Sequence, residues 1–313
     1  MNSIFFIESP FQLINASEAI HFFQIKNYKI IIRLSEVVNS DKQIFNLIDI
    51  LNIDKEKIEL IKIKAHNKNI GDYVAIAVNL IKCLPYIGVD KIFIGNLESG
   101  FLSLVIKIFS RKKILLLDDG ALTIEIQNNP NKFNQNNFYN LFTMYDFLAF
   151  KNQKIYKNNF ESIRQNINNL KINKSSVLFL GSPFSEDGYM SKKCYYEQIN
   201  KISSKYSNKT MIYVPHRRET DEDTREIKGI KNIVVHKLDY PVELIGLHEN
   251  EIPYKVISFY STALLTMKNI YKIEADSYHA NFDGSVQKKN EAIEKFKLTY
   301  KHYQSNIGVK FLD

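Results

Sequence analysis

The stretch KILLLDDGALTIEIQ, Lys113 to Gln127, decides how the chain is read. Four apolar residues, Ile114 to Leu117, form a run too short for a buried helix and bounded by polar residues, the pattern of a core strand. The run stops at Asp118-Asp119-Gly120. Two neighbouring carboxylates at the mouth of a core strand each risk desolvation, which marks the place as a candidate site.

Outward from there the same unit repeats. SIFFIE (3–8), YKIIIRL (28–34), KIELIKI (57–63), KIFIGN (91–96) and KILLLDD (113–119) read as strands, each followed by a segment of helical periodicity. Nearly continuous apolar strands alternating with helices imply a parallel sheet covered on both faces, a Rossmann-like domain. Polar QNNPNKFNQNN (127–137) predicts a loop, followed by a helix around Phe138 to Tyr145 and a short strand at FLAF (147–150). The Lys- and Asn-rich stretch from Lys151 to Lys174 reads as one more helix and an interdomain connection.

From Ser176 the alternation restarts. SVLFLG, KTMIYVP, NIVVHK and YKVISF read as strands, with helices after Gly188, Pro241 and Tyr260 and then a strand at IYKIEA (270–275). The fold class expected is therefore α/β, two Rossmann-like domains in tandem of GT-B type with a cleft between them. The boundaries read as an acceptor-side domain over 1–155, a connection over 156–175, a donor domain over 176–283 and a C-terminal helix within 284–313. No internal repeat or heptad array interrupts this pattern.

Composition narrows the partners. Over 313 residues, 42 Lys plus Arg against 34 Asp plus Glu leave a formal charge of +8, which favours anionic partners such as nucleotides or acidic glycans. No nucleic-acid module is recognisable, so nucleic acid is not expected. Cys83 and Cys194 stand far apart with no zinc spacing, the usage of a reducing compartment. SIFFI is too short, and too soon interrupted by Glu8, for a signal peptide or a spanning helix. A cytoplasmic location follows, compatible with a peripheral seat on the inner membrane surface and with a homodimer.

Ligands of parallel sheets bind beyond the carboxyl ends of the strands, so polar residues just after apolar runs are the candidates. Four such places stand out: Glu8 to Gln12, Gly95 to Ser99, Asp118 to Gly120, and Pro215 to Glu219. Each can also be a helix cap or turn. Gly120 permits a positive φ, and paired carboxylates raise one another's pKa, which suits one of them to accept a proton. A divalent metal is the rival use of an Asp pair, although no third carboxylate lies nearby in sequence. His216 between Pro215 and Arg217-Arg218 suits an anion, and Ser261-Thr262 at a helix start offers hydroxyls and N–H groups to a phosphate.

The order Asp-Asp-Gly, a His motif after a second-half strand, and a late Ser/Thr pair resembles bacterial sialyltransferases of the GT-B fold. The resemblance is to glycosyltransferase family 52 and its polysialyltransferase relatives. FFIESPFQLINASEAI (5–20), LGSPFSEDG (180–188), YPVELIG (240–246) and SFYSTALL (258–265) carry it over most of the chain. Relatives place His before Pro in the second motif, whereas here Pro215 precedes His216, and the usual serine pair is Ser261-Thr262.

The resemblance implies an enzyme that moves sialic acid from CMP-sialic acid to a galactoside-type acceptor of a bacterial capsule or lipooligosaccharide. Asp119 is then the general base, with Asp118 as neighbour or substitute. His216 hydrogen-bonds or protonates the departing phosphate, Ser261 and Thr262 hold it, and Glu243 faces the cytidine or its ribose. Gly120, Pro215 and Arg217 complete the donor side, while Gln12, Asn96 and Glu98 fall to the acceptor by position in first-half loops. One inverting displacement is implied, with no metal and no cofactor beyond the donor substrate. A polymerising sialyltransferase or another GT-B nucleotide-sugar transferase is the alternative, and a non-catalytic glycan- or nucleotide-binding protein is a third reading.

Overall fold

The computed structural model describes residues 2–34, 38–63, 70–109, 113–129, 139–283 and 289–312. Two compact units divide the chain, the first over Met1–Ser162 with Asp239–Pro241, the second over Ile163–Leu238 with Val242–Asp313.

In the first unit strands and helices alternate: β1 (Asn2–Ile7), α1 (Pro10–Phe22), β2 (Asn27–Leu34), α2 (Val38–Ile50), β3 (Ile58–Lys62), α3 (Ile70–Cys83), β4 (Lys91–Ile94), α4 (Gly100–Ile108), β5 (Ile114–Leu117), α5 (Ala121–Asn128), β6 (Asn140–Thr143) and β7 (Ile155–Lys157). The sheet runs β3-β2-β1-β4-β5-β6-β7, every pair parallel. β1 is central because Ile4, Phe5, Phe6 and Ile7 are apolar on both faces and fully buried. Phe5 stacks on Phe93 of β4 at 4.3 Å between ring centroids. Each such side chain contributes about 1.5–3 kcal/mol by leaving water. Ser9 and Ser99 start α1 and α4 by accepting the N–H groups of Gln12 and Leu102.

Past α6 (Glu161–Asn166) the second unit repeats the scheme with β8 (Lys171–Leu180), α7 (Lys192–Lys205), β9 (Thr210–Val214), α8 (Arg225–Lys228), β10 (Ile233–Val235), α9 (Ile245–His248), β11 (Glu251–Ser258), α10 (Ala263–Tyr271), β12 (Glu274–Tyr278), α11 (Lys289–Asn306) and β13 (Gly308–Lys310). Its order, β10-β9-β8-β11-β12-β13, is again all parallel. Both sheets follow the doubly wound order 3-2-1-4-5-6, to which the first adds a seventh strand, and the strand order reverses beside β1 in one and β8 in the other. The two Rossmann-like halves are thereby established.

Several local expectations are corrected. The helix expected around Phe138 to Tyr145 is β6 from Asn140; Phe138 lies outside the described residues. Leu141 and Phe142 are buried as β6 pairs with Leu116 and Leu117 of β5, so tertiary pairing overrides the helical look of the run. FLAF forms no strand, and Leu148 is 92% exposed. The expected connection over 156–175 instead holds the end of β7, all of α6 and the start of β8. In IYKIEA the residues Ile270 and Tyr271 finish α10, Lys272 stops it at φ 58°, and β12 begins only at Glu274. The final helix extends to Asn306 and is followed by β13; residues 284–288 of the expected helix lie outside the described set.

Candidate active site

The carboxyl end of β5 carries the first constellation. Asp118 is wholly buried, 0% exposed, and its Oδ2 accepts the Met144 N–H at 2.7 Å from the turn after β6. Burial pushes its carboxyl up to about 7, against the pull of the Met144 N–H, the nearby Thr143 and Thr123 hydroxyls and the Lys157 charge. A side chain so enclosed cannot reach an acceptor hydroxyl, so Asp118 is corrected from substitute base to an internal brace. Asp119, the next residue, is only partly buried. Its own N–H donates to Thr123 Oγ1 at 2.9 Å, which fixes the backbone beneath the carboxylate. Gly120 has φ 62° and ψ −135°, a conformation closed to side-chain-bearing residues, and turns the chain into α5. The Tyr145 hydroxyl donates to the Gly120 carbonyl at 3.1 Å and ties the turn down.

The residues expected for the acceptor separate. Gln12 is 1% exposed; its Oε1 accepts the Glu8 N–H at 2.8 Å, and a Cβ on Gly95 would fall 2.2 Å from Gln12 Cδ. It is a packed strut of the β1–α1 turn, so its assignment to acceptor contact is corrected. Asn96 is half-buried and its Oδ1 accepts the Glu98 N–H at 2.8 Å, shaping the loop on which exposed Glu98 sits. Glu8 and Ser99, both in the stretches singled out in the sequence, are joined by Arg33, which was not. Arg33, at the end of β2, pairs through Nε with Glu8 Oε1 at 3.0 Å, and the Ser99 hydroxyl donates to that oxygen at 2.8 Å. Glu8 closes an apolar run and Arg33 interrupts one, which was the available signal.

In the second unit the turn after β9 presents Pro215 and His216, both half-buried, with Arg217 exposed. The Arg218 N–H donates to His216 Nδ1 at 3.3 Å, leaving the ring proton on Nε2. Burial, reinforced by the Arg217 and Arg218 charges, pulls the imidazole down to about 3. At neutral pH His216 in the free protein is thus an uncharged imidazole with its Nε2–H available to donate. Glu243 is buried in a tight turn; burial raises its carboxyl and the neighbouring Arg217 charge opposes the rise. His216, Arg217 and Glu243 therefore share one neighbourhood.

Ser261 and Thr262 lie at the start of α10, after β11, both half-exposed. Ser261 Oγ accepts the Ala263 N–H at 3.3 Å, while Thr262 makes no side-chain cap, so its hydroxyl is not consumed by the helix. The β9 and β11 ends flank β8, where the strand order of the second sheet reverses, the place at which such sheets receive nucleotides. Glu219, the last residue of the motif singled out in the sequence, had no role assigned there: it is buried, accepts the Tyr213 hydroxyl at 2.6 Å and the His216 N–H at 2.5 Å, and is pushed up to about 7 by burial.

Two parallel α/β units of one strand order, with polar constellations at their carboxyl edges, define a GT-B-type protein. A family profile of alpha-2,8-polysialyltransferases matches residues 3–279, and the chain belongs to that family. Membership makes it a glycosyltransferase of sialyltransferase type. Among solved structures it is similar to UDP-GlcNAc 2-epimerase from Methanocaldococcus jannaschii in complex with UDP-GlcNAc and UDP, at 15% identity and TM-score 0.54, covering 98% of this chain and 93% of that one. The Neisseria meningitidis UDP-GlcNAc 2-epimerase gives 9% identity, TM-score 0.55, and 99% and 95% coverage. S. aureus MnaA with UDP gives 11%, 0.57, 94% and 82%. At these identities the likeness is one of fold. No curated protein sequence matches the chain. No helix among the described residues is long and apolar enough to cross a membrane.

Proposed function

We propose that the protein transfers sialic acid from CMP-sialic acid to a glycan acceptor by a single inverting displacement. The observation that carries the reading is the division of labour at Asp118-Asp119. A buried carboxyl anchors the turn and leaves its neighbour half-exposed, the arrangement a general base needs, in a chain whose family transfers sialic acid. Asp119 takes the proton of the acceptor hydroxyl as its oxygen attacks the anomeric carbon. The bond from that carbon to the phosphate oxygen breaks, and CMP leaves.

Negative charge grows on the phosphate as this happens. His216 Nε2–H donates to it, and Ser261, Thr262 and the first N–H groups of α10 hold it from the ground state onward. Arg217 and Pro215 shape the same turn, Glu243 faces the ribose or base, and Gly120 gives the backbone bend. The mechanism requires neither metal nor cofactor. A cytoplasmic setting suits this reading, and a peripheral seat on the inner membrane surface and a homodimer are compatible with it.

Family membership favours a second form of the same reading, in which the acceptor is already sialylated and is extended through α-2,8 linkages. The nucleotides named with the structural neighbours make UDP-sugars the competing donors. The test is incubation with CMP-sialic acid or UDP-GlcNAc against galactoside and oligosialic acceptors, with mass spectrometry of the products. Sialylated product from CMP-sialic acid alone is expected; product from UDP-GlcNAc alone overturns the reading.

A further inference from the structure

Below the His216 turn lies a buried chain of four hydrogen bonds that the mechanism above leaves unused. The Ser182 N–H donates to Tyr195 Oη at 2.8 Å, Tyr195 and Tyr213 hydroxyls meet at 3.1 Å, and the Tyr213 hydroxyl donates to Glu219 Oε1 at 2.6 Å. The His216 N–H donates to the other oxygen, Oε2, at 2.5 Å, while the Glu219 N–H returns to the His216 carbonyl at 2.8 Å. Gly181 makes room: a Cβ there would sit 2.2 Å from Glu219 Oε2, 2.7 Å from Tyr213 Oη and 3.0 Å from the His216 nitrogen. Both tyrosines and the glutamate are buried, and the Tyr213 ring stacks on Phe179 of β8.

The chain has a direction. The Glu219 carboxylate can only accept, so the Tyr213 hydroxyl donates to it and the Tyr195 hydroxyl donates to Tyr213, while Tyr195 Oη accepts the Ser182 N–H. A protonated Glu219 must break this order. Its proton faces either the His216 N–H, donor against donor, or Tyr213, whose reversed hydroxyl then donates to Tyr195 and leaves the Tyr195 proton without an acceptor in the chain. An unmade bond on a buried polar group costs about 1–3 kcal/mol, so protonation loosens the turn that carries His216.

We propose that Glu219 is a positioning residue: its carboxylate, braced by Tyr213 and Tyr195 beneath Gly181, clamps the backbone of His216 and sets where the imidazole Nε2–H points. The claim rests on the reading of His216 as the phosphate donor. Burial holds the Glu219 carboxyl near 7, with Tyr213 and the His216 N–H pulling down and the charges of Glu186 and Asp223 pushing up. The surrounding charges are Lys192, paired with Asp223, and Arg217 and Arg218, with Arg218 bound to Asp187. The clamp is therefore closed above neutrality and opens as the pH falls through about 7, while His216 itself stays neutral.

The test follows the ring resonances of His216, assigned by loss in His216→Asn, across pH 5–9 in wild type, Glu219→Gln and Tyr213→Phe. Wild type should show a shift with its midpoint near 7 although the ring does not titrate there. Tyr213→Phe, which removes one donor from the carboxylate and keeps the stacked ring, should move that midpoint up, and Glu219→Gln should abolish it. On CMP-sialic acid, Glu219→Gln should lower kcat at least tenfold at pH 8 with donor KM within threefold. A His216 signal without the shift, a midpoint unmoved in Tyr213→Phe, or an undiminished kcat in Glu219→Gln overturns the proposal. If wild type does not turn over CMP-sialic acid, the functional reading fails and the ring titration still decides the clamp. Should Glu219→Gln not fold, Tyr213→Phe carries the test alone.

Discussion

Replacing Asp118 with asparagine tests whether this carboxyl is an internal brace. Its pKa rises from 3.8 in the unfolded chain to about 7 in the fold because burial disfavours the charge. Between about pH 4 and pH 7 the folded protein keeps a proton that the unfolded chain has released, so stability falls as pH rises through that window. Above pH 7 the full penalty applies, on the order of 4 kcal/mol from the displacement of the pKa. Asparagine carries no charge, and its oxygen can still accept the Met144 N–H. Asp118→Asn should therefore raise the unfolding temperature of the first unit at pH 8, by roughly 2–4 °C for each kcal/mol recovered in a domain of this size. The variant should be close to wild type at pH 4. Scanning calorimetry from pH 4 to 8 measures both, and transfer activity should stay within threefold. Glu219 imposes a slope of the same sign on the second unit, so the comparison rests on the difference between variant and wild type. Lower stability of Asp118→Asn at pH 8, or an unchanged pH slope, refutes the reasoning.

Further outcomes follow from the second unit and from the proposed chemistry. His216→Ala should lower turnover by about 10- to 100-fold while CMP affinity by calorimetry changes less than threefold, because its bond strengthens as the phosphate gains charge. The double change Ser261→Ala with Thr262→Ala should instead weaken CMP itself by about tenfold, since those hydroxyls meet the phosphate before reaction. Gly181→Ala should destabilise by about 1–3 kcal/mol in denaturant unfolding, as the new methyl drives Glu219 from its place. Transfer should persist in excess chelator; complete loss restored by magnesium or manganese would contradict the metal-free displacement.

The sequence was most legible where burial is two-sided. Ile4 to Ile7, Ile114 to Leu117 and Val177 to Leu180 are continuous apolar runs because helices cover both faces of a parallel sheet, and their ends located the polar turns. Edge elements carry less pattern: β6 and β13 are short and defined by their neighbours, and Ile270 and Tyr271 are apolar because α10 buries them. Which of Asp118 and Asp119 faces inward depends on the Met144 N–H arriving from β6, a contact 26 positions away. Gln12 is polar and near a strand end, yet it serves the backbone of Glu8. Glu219 stood within the second motif, but its role needs Tyr195 and Tyr213 from α7 and β9, which sequence spacing does not join.

The measurement that bears most directly on the account compares Asp119→Ala with wild type for sialic acid transfer from CMP-sialic acid and for CMP binding on the same preparations. A positioned base contributes about 10²- to 10⁴-fold in rate. The account predicts a transfer loss of that size with CMP affinity unchanged within a few-fold. Normal transfer by Asp119→Ala, or loss of CMP binding in parallel with transfer, would contradict it.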